Sequence, residues 1–258
     1  MLTPSVVKAA AQEIQTGERV SLDWSLNLPS YPSFGRPPFE WKLVNRNAPD
    51  GTNRTVNDDV LHVNTQSSSQ WDGFRHYGYQ RAKKYYGGRT QGEVEGSEVI
   101  GIDRIAEAGG ITTRAVILDY PRYLNRKGKP PVEALSASSI SADVLKEILK
   151  ETGVQTRDGD LLLLRTGFTK RYLELSTQER KDLAHKPPAF VGVESSKEVL
   201  QWIWESGFAA VAGDAPSFEM SPLVGEHNKP GGIWHGETWE EEMQVGSAYI
   251  MWLKEGYS

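Results

Sequence analysis

The sequence predicts an α/β fold. Short apolar runs stop abruptly on polar residues at Asp119-Tyr120, Arg165-Thr166 and Asp214-Ala215, as strands do when they reach a sheet edge. Segments of helical period lie between the last two runs. A strand, a crossover and a second strand make an α/β unit, and polar residues at strand ends commonly form its site. At 258 residues, with no internal repeat, low-complexity tract or interdomain linker, the chain reads as one domain over residues 1–258.

Taken in order, Thr3-Pro4 has the form of an N-cap and first helical position, and Val6, Val7, Ala10, Ala11 and Ile14 follow at helical spacing; this helix is expected to end near Thr16-Gly17. Residues 26–41 carry prolines at 29, 32, 37 and 38, which lack the amide donor a ladder needs, so a long loop is expected, and long ordered loops are often functional. Residues 59–65 and 111–120 have strand composition. Ser141 caps a helix whose Val144, Leu145, Ile148 and Leu149 share a face, with Gly153 as its stop. Asp160 to Gly167 reads as a buried strand with a polar end. Ser176-x-x-Glu179 and Ser195-x-x-Glu198 fit the capping box, and the second leads into Val199, Leu200, Ile203 and Trp204 before strand 208–213.

Composition narrows the chemistry. The absence of cysteine removes disulfides, thiolate zinc sites, iron–sulfur clusters and cysteine nucleophiles together. With 29 Lys+Arg against 34 Asp+Glu, a formal charge of −5, no basic stripe is present and nucleic acid is not an expected partner. The longest apolar runs, such as Leu161 to Leu164, fall far short of the ~20 residues that span a bilayer. The first residues lack a basic region followed by a long apolar run, so they do not read as a signal peptide, and a cytoplasmic location is expected.

The most informative segment runs Gln66-Ser-Ser-Ser-Gln70-Trp71-Asp72-Gly-Phe-Arg-His76. Positions 66, 70, 72 and 76 share parity, so in extended chain two amides, a carboxylate and an imidazole point to one face. On spacing alone, a solvated polar strand is the favoured reading over a site, because polar alternation on one sheet face is ordinary. An imidazole titrates near 6.5 and can both take and give a proton near neutrality, which makes His76 the candidate acid/base, with Asp72 four residues earlier to orient it. At the other strand ends, Asp214 and Ser217 are either turn caps or site residues, and Arg165 either anchors a carboxylate or carbonyl substrate or joins an ion pair. Tyr77, Tyr79 and Tyr120, with Trp41 and Trp71, could line an aromatic pocket or simply fill the core.

The segment resembles the signature HxGTHxDxPxH of the cyclase family that includes metal-dependent kynurenine formamidases and isatin hydrolases. Gly159 to Gly167 is similar to that family's GDxLLxRTG strand, and Phe208 to Phe218 to its (A/V)xGxDxPSx strand. The form QWDxxxH marks a branch apart from the formamidases. The resemblance implies that Gln66 and Gln70 stand where the family has two metal-binding histidines, that Asp72 stands at its metal-binding aspartate, and that His76 stands at its catalytic histidine. It also implies the family's fold, a mixed β-sheet or barrel-like core with surrounding helices, a homodimer or higher homo-oligomer, and hydrolysis of a formamide, lactam or lactone by metal-activated water.

The departures are as informative as the match. Ala248 to Gly256 resembles the family's LLHxxLLxxxG, with Ile250 at the histidine position, and the sequence ends at Ser258 before the family's glutamate, so the C-terminal part reads as shortened. Imidazole binds zinc well and a neutral amide oxygen does so poorly, so no cofactor is expected. The alternative is a weakly held divalent cation, Zn, Mn or Mg, on Asp72, Gln66 and Gln70, supplemented by His227, His235 or Glu237.

The sequence thus predicts an enzyme acting on a small cyclic or aromatic carbonyl compound by cyclisation, dehydration or isomerisation, in specialised metabolism. His76 and Asp72 are its catalytic residues, and Gln66, Gln70, Trp71, Arg165, Tyr120, Asp214 and Ser217 bind substrate. A metal-dependent amide or lactone hydrolase and an inactive small-molecule binding homologue are the alternatives.

Overall fold

The computed structural model describes residues 2–47, 55–79 and 82–222, together with the backbone of 248–251. Helix α1 (Pro4–Ala11) starts on Thr3, whose hydroxyl accepts from the Val6 amide, and closes at Gln12, short of the expected Thr16-Gly17. The proline-rich loop gives way to strand β1 (Glu40–Asn45), which pairs antiparallel with β2 (Asn57–His62), Trp41 lying opposite Leu61. The hairpin leaves Trp41, Leu43, Val60 and Leu61 exposed. After a 3-10 turn at Thr65–Ser67 comes the short strand β3 (Gln70–Asp72).

Helices α2 (Gln91–Gly96) and α3 (Asp103–Glu107) lead to β4 (Ala115–Asp119) and α4 (Tyr120–Arg126). Then follow β5 (Ser139–Ile140), α5 (Ala142–Thr152), β6 (Leu161–Arg165), α6 (Phe168–Glu174), α7 (Thr177–His185), β7 (Gly192–Val193), α8 (Lys197–Glu205), β8 (Ala210–Gly213) and β9 (Ala248–Met251). Ser141 and Ser176 cap as expected, the latter with the full capping box. The cap of α8 is Ser196, one residue later than the motif predicts, and Ser195 is buried instead.

The main sheet has the order β3-β9-β8-β6-β4. Strands β4, β6, β8 and β9 run parallel, and β3 closes one edge antiparallel to β9. Because helices α5 and α8 cover it, β6 and β8 read as continuous apolar runs rather than alternating ones. Leu118, Leu145, Leu162, Leu164, Val211 and Ile203 make the centre of that core, each side chain contributing roughly 1.5–3 kcal/mol on burial. Beside the sheet, Gly192 of β7 passes so close to the backbone of Glu219 that a Cβ would collide with it, which fixes glycine there. Among the described residues, no helix is long and apolar enough to cross a membrane.

Candidate active site

The segment Gln66 to His76 is held at the sheet edge by its own serines. Ser67 and Ser68 are buried, and their hydroxyls donate to the carbonyls of Pro37 (3.1 Å) and Ser25 (3.2 Å). The Ser69 hydroxyl accepts from the Trp24 amide at 2.7 Å. Three consecutive side chains thereby staple the proline-rich loop onto β3. The loop in turn delivers Arg36, whose Nη1 donates to the Gln66 carbonyl at 2.8 Å. On the far side of β3, Arg75 donates to the carbonyls of Val99 and Ser97, both at 2.8 Å, and fixes the turn that carries His76.

Within this frame Gln66, Gln70, Asp72 and His76 come together, though by a different route from the shared parity of an extended chain. Gln66 sits in a 3-10 turn, only Gln70 and Asp72 lie in β3, and His76 follows a turn closed by its amide on the Gly73 carbonyl at 3.0 Å. The side chains form a directional relay. Gln70 Nε2 donates to Gln66 Oε1 at 2.7 Å, and Gln66 Nε2 donates to Asp72 Oδ1 at 3.0 Å. An ionised carboxylate only accepts, so it orients both amides in turn. The consequence falls at the other end: Gln70 is 9 % exposed, and its Oε1 is buried without a hydrogen-bond partner among the described residues. A buried carbonyl oxygen left in this way costs on the order of 1–3 kcal/mol, which any donor that reaches it recovers.

The charges around Asp72 are tightly balanced. Burial pushes its carboxyl above the usual carboxylate range, while His76, the Gln66 amide, Arg36 and the Gly73 amide pull it back. Burial draws the His76 imidazole below its ordinary 6.5, Asp72 opposes this, and Arg36 lowers it further. Burial also lowers the Arg36 guanidinium, with Asp72 opposing. His76 is nevertheless exposed by area while Asp72 is 8 % exposed. The imidazole is thus the member of the pair that solutes can reach, at the open side of a recess whose walls partly desolvate it. Trp71, 40 % exposed, lies between the two buried residues of β3.

The remaining sequence candidates lie elsewhere. Arg165 sits at the end of β6, separated from β3 by β9 and β8, and Tyr120 follows β4, one strand further; three and four strand spacings put them about 14 Å and about 19 Å across the sheet. Arg165 Nη1 pairs with Asp119 at 2.9 Å. Asp214 is 3 % exposed and accepts from the Thr166 amide (2.6 Å), the Thr166 hydroxyl (2.7 Å) and the Gly167 amide (2.9 Å), so its carboxylate ties the β6–α6 turn to β8. The Ser217 hydroxyl donates to the Glu219 carbonyl at 2.7 Å. Tyr77 and Tyr79 follow the His76 turn, half-buried. The residue missed from sequence is Arg36; the run Ser67-Ser68-Ser69, three hydroxyls seeking partners, is the trace it left.

Among the described residues, the donors gathered here do not fit a divalent metal. The set is two neutral amides and one carboxylate, with Asp72 Oδ1 and Gln66 Oε1 already occupied and a guanidinium beside the carboxylate. Among the described residues no three His, Asp or Glu side chains cluster as a metal site. His227, His235 and Glu237 lie outside the described residues. Ile250, expected at the family's histidine position, is in β9 with its backbone opposite Trp71 and Ala212, so the C-terminal strand does reach the QWD segment.

Among solved structures, a novel cyclase aligns with a TM-score of 0.78 at 23% identity, over 98% of this chain and 80% of that one. Isatin hydrolase A from Ralstonia solanacearum aligns with a TM-score of 0.61 at 16% identity, over 99% and 87%. An isatin hydrolase bound to the product analogue thioisatinate gives 0.59 at 14% identity, over 99% and 87%. These likenesses establish the fold. No curated protein matches the chain. The family model for cyclases matches residues 14–220, a span holding the Arg36 loop, the QWDxxxH segment and the two strand motifs, and the chain belongs to the Cyclase family.

Proposed function

We propose that the chain is an enzyme acting on a small cyclic or aromatic carbonyl compound by proton transfer through His76. The observation that carries this reading is the buried acceptor Gln70 Oε1, unpartnered, in the same side-chain cluster as the Asp72–His76 pair. A substrate N–H or O–H donates to that oxygen. The Gln66 amide donates to Asp72 and the Gln70 amide to Gln66, which leaves the Gln70 oxygen for the substrate. The substrate carbonyl faces the Arg36 guanidinium, which stabilises negative charge as it develops. His76, neutral because burial and Arg36 hold its pKa low, removes a proton from an acidic C–H or O–H. The same proton returns to a leaving oxygen in a dehydration or to a second atom in an isomerisation or ring closure, so Asp72 need only steady the transient imidazolium.

An aromatic carbonyl class gains support from the fold relatives, one of which was solved with thioisatinate and another with benzyl benzoate. The proposal is tested by turnover of aromatic lactams, lactones and hydroxyketones by the purified chain before and after exhaustive chelation. Turnover that survives chelation and disappears in His76→Gln is expected; turnover that is abolished by chelator and restored by manganese overturns it.

A further inference from the structure

We infer that the chain has a second small-molecule site, for an organic anion, at the carboxyl ends of β4 and β6. A cavity of about 410 Å³ opens there, within the size range of ligand pockets, and none of Gln66, Gln70, Asp72 or His76 lines it. The carboxyl ends of parallel strands are where open α/β sheets bind ligands. Lys129, Arg165, Lys170 and Arg171 converge on the cavity, and Pro121 and Val132 give it an apolar wall. In a chain of net charge −5, four cations around one recess are a marked local excess.

The pairing of these cations is uneven. Arg165 is held by Asp119 at 2.9 Å, while Arg171 has only distant carboxylates, Glu133 at 3.9 Å and Glu174, also in the wall, at 3.7 Å. Lys129 lies over the Tyr123 ring at 5.6 Å, and neither it nor the exposed Lys170 makes an ion pair among the described residues. The floor is kept clear by Gly167. Its φ of +89° favours glycine, and a Cβ there would press on Pro121 at 3.3 Å. Asp214 fixes that glycine by accepting its amide. An ordered guanidinium, two unpaired ammoniums and an apolar wall together fit a carboxylate or phosphate head on a small apolar body.

Calorimetric titration of the full chain with benzoate, phenyl phosphate, inorganic phosphate and benzyl alcohol tests this. Benzoate or phenyl phosphate is expected to bind at least tenfold more tightly than benzyl alcohol or inorganic phosphate, the stronger of the two identifying the head group. The double substitution Lys129→Glu with Lys170→Glu, both on the surface, is expected to weaken that binding at least tenfold with an unchanged circular dichroism spectrum. His76→Gln is expected to leave it unchanged. The inference is overturned if neither aromatic anion binds, if inorganic phosphate binds as well as they do, if the lysine variant binds like the parent, or if His76→Gln abolishes binding.

Discussion

Asp72 and Asp214 are both buried carboxylates in strand-end motifs, yet their surroundings assign them opposite work. Asp214 receives three hydrogen-bond donors, all from Thr166 and Gly167, which close the fold, with the charge of Arg165 a smaller influence. Asp72 receives the Gln66 amide and the Gly73 amide, and its other neighbours, His76 and Arg36, carry charge that can change or be shared with a ligand. Burial raises both carboxyls, but at Asp214 the opposing forces are chiefly rigid hydrogen bonds, and at Asp72 the largest is a titratable imidazole. Burial therefore does not separate a structural carboxylate from a reactive one; the nature of the partners does.

The largest effect expected from breaking this contrast is at the reactive end. His76→Gln should lower kcat/KM by roughly 10²–10⁴-fold, the usual contribution of a positioned acid/base, with a melting temperature close to that of the parent. An equal loss of both would make His76 structural. Asp214→Asn should do the reverse. Placing an amide N–H against backbone donors at a site 3 % exposed should cost roughly 2–4 kcal/mol, seen as a lower midpoint in denaturant, with kcat retained in the fraction that stays folded.

Next in size is the pH profile. His76 as a base must be neutral, and its pKa is held below 6.5, so kcat/KM should fall only on the acid side of that value. Arg36 lowers both His76 and Asp72, so Arg36→Met should move the acid limb to higher pH; a limb that stays in place would remove Arg36 from the site. Stability carries the same signs. The raised carboxyl of Asp72 contributes stability below its ordinary 3.8 and loses it as pH rises through the folded value, so Asp72→Asn should be at least as stable as the parent at pH 7 while losing turnover. The lowered imidazole contributes stability above 6.5 that is lost as pH falls through its folded value.

The smallest effect is expected at Gln70. Gln70→Met removes an unpartnered oxygen and one hydrogen bond to Gln66 together, so the midpoint should shift by no more than about 1 kcal/mol, while KM rises for substrates with an N–H or O–H donor. Unchanged KM would detach the orphan oxygen from substrate binding.

Much of this was legible in the residues. The apolar runs at Leu161–Arg165 and Ala210–Gly213, the caps at Ser141 and Ser176, and the QWDxxxH segment are local patterns, and local hydrogen bonding or burial forces them. Strand β2 overlaps the strand expected at 59–65, but its partner β1 was hidden behind the proline-rich loop, because an exposed hairpin has no buried face to impose alternation. The α8 cap moved from Ser195 to Ser196 because the chain buries the first serine.

What the sequence determined alone was the α/β class and the presence of an imidazole, a carboxylate and two amides within eleven residues, since periodicity and residue type are properties of the chain. Only the tertiary structure decided how they act. It brought Arg36 in from a loop 30 residues upstream of Gln66, turned the Gln66 amide to Asp72 and the Gln70 amide to Gln66, and placed Arg165 at a separate basic cavity across the sheet. Those outcomes depend on which donor meets which acceptor across long sequence separations, and that is set by strand order and loop docking, not by any local pattern.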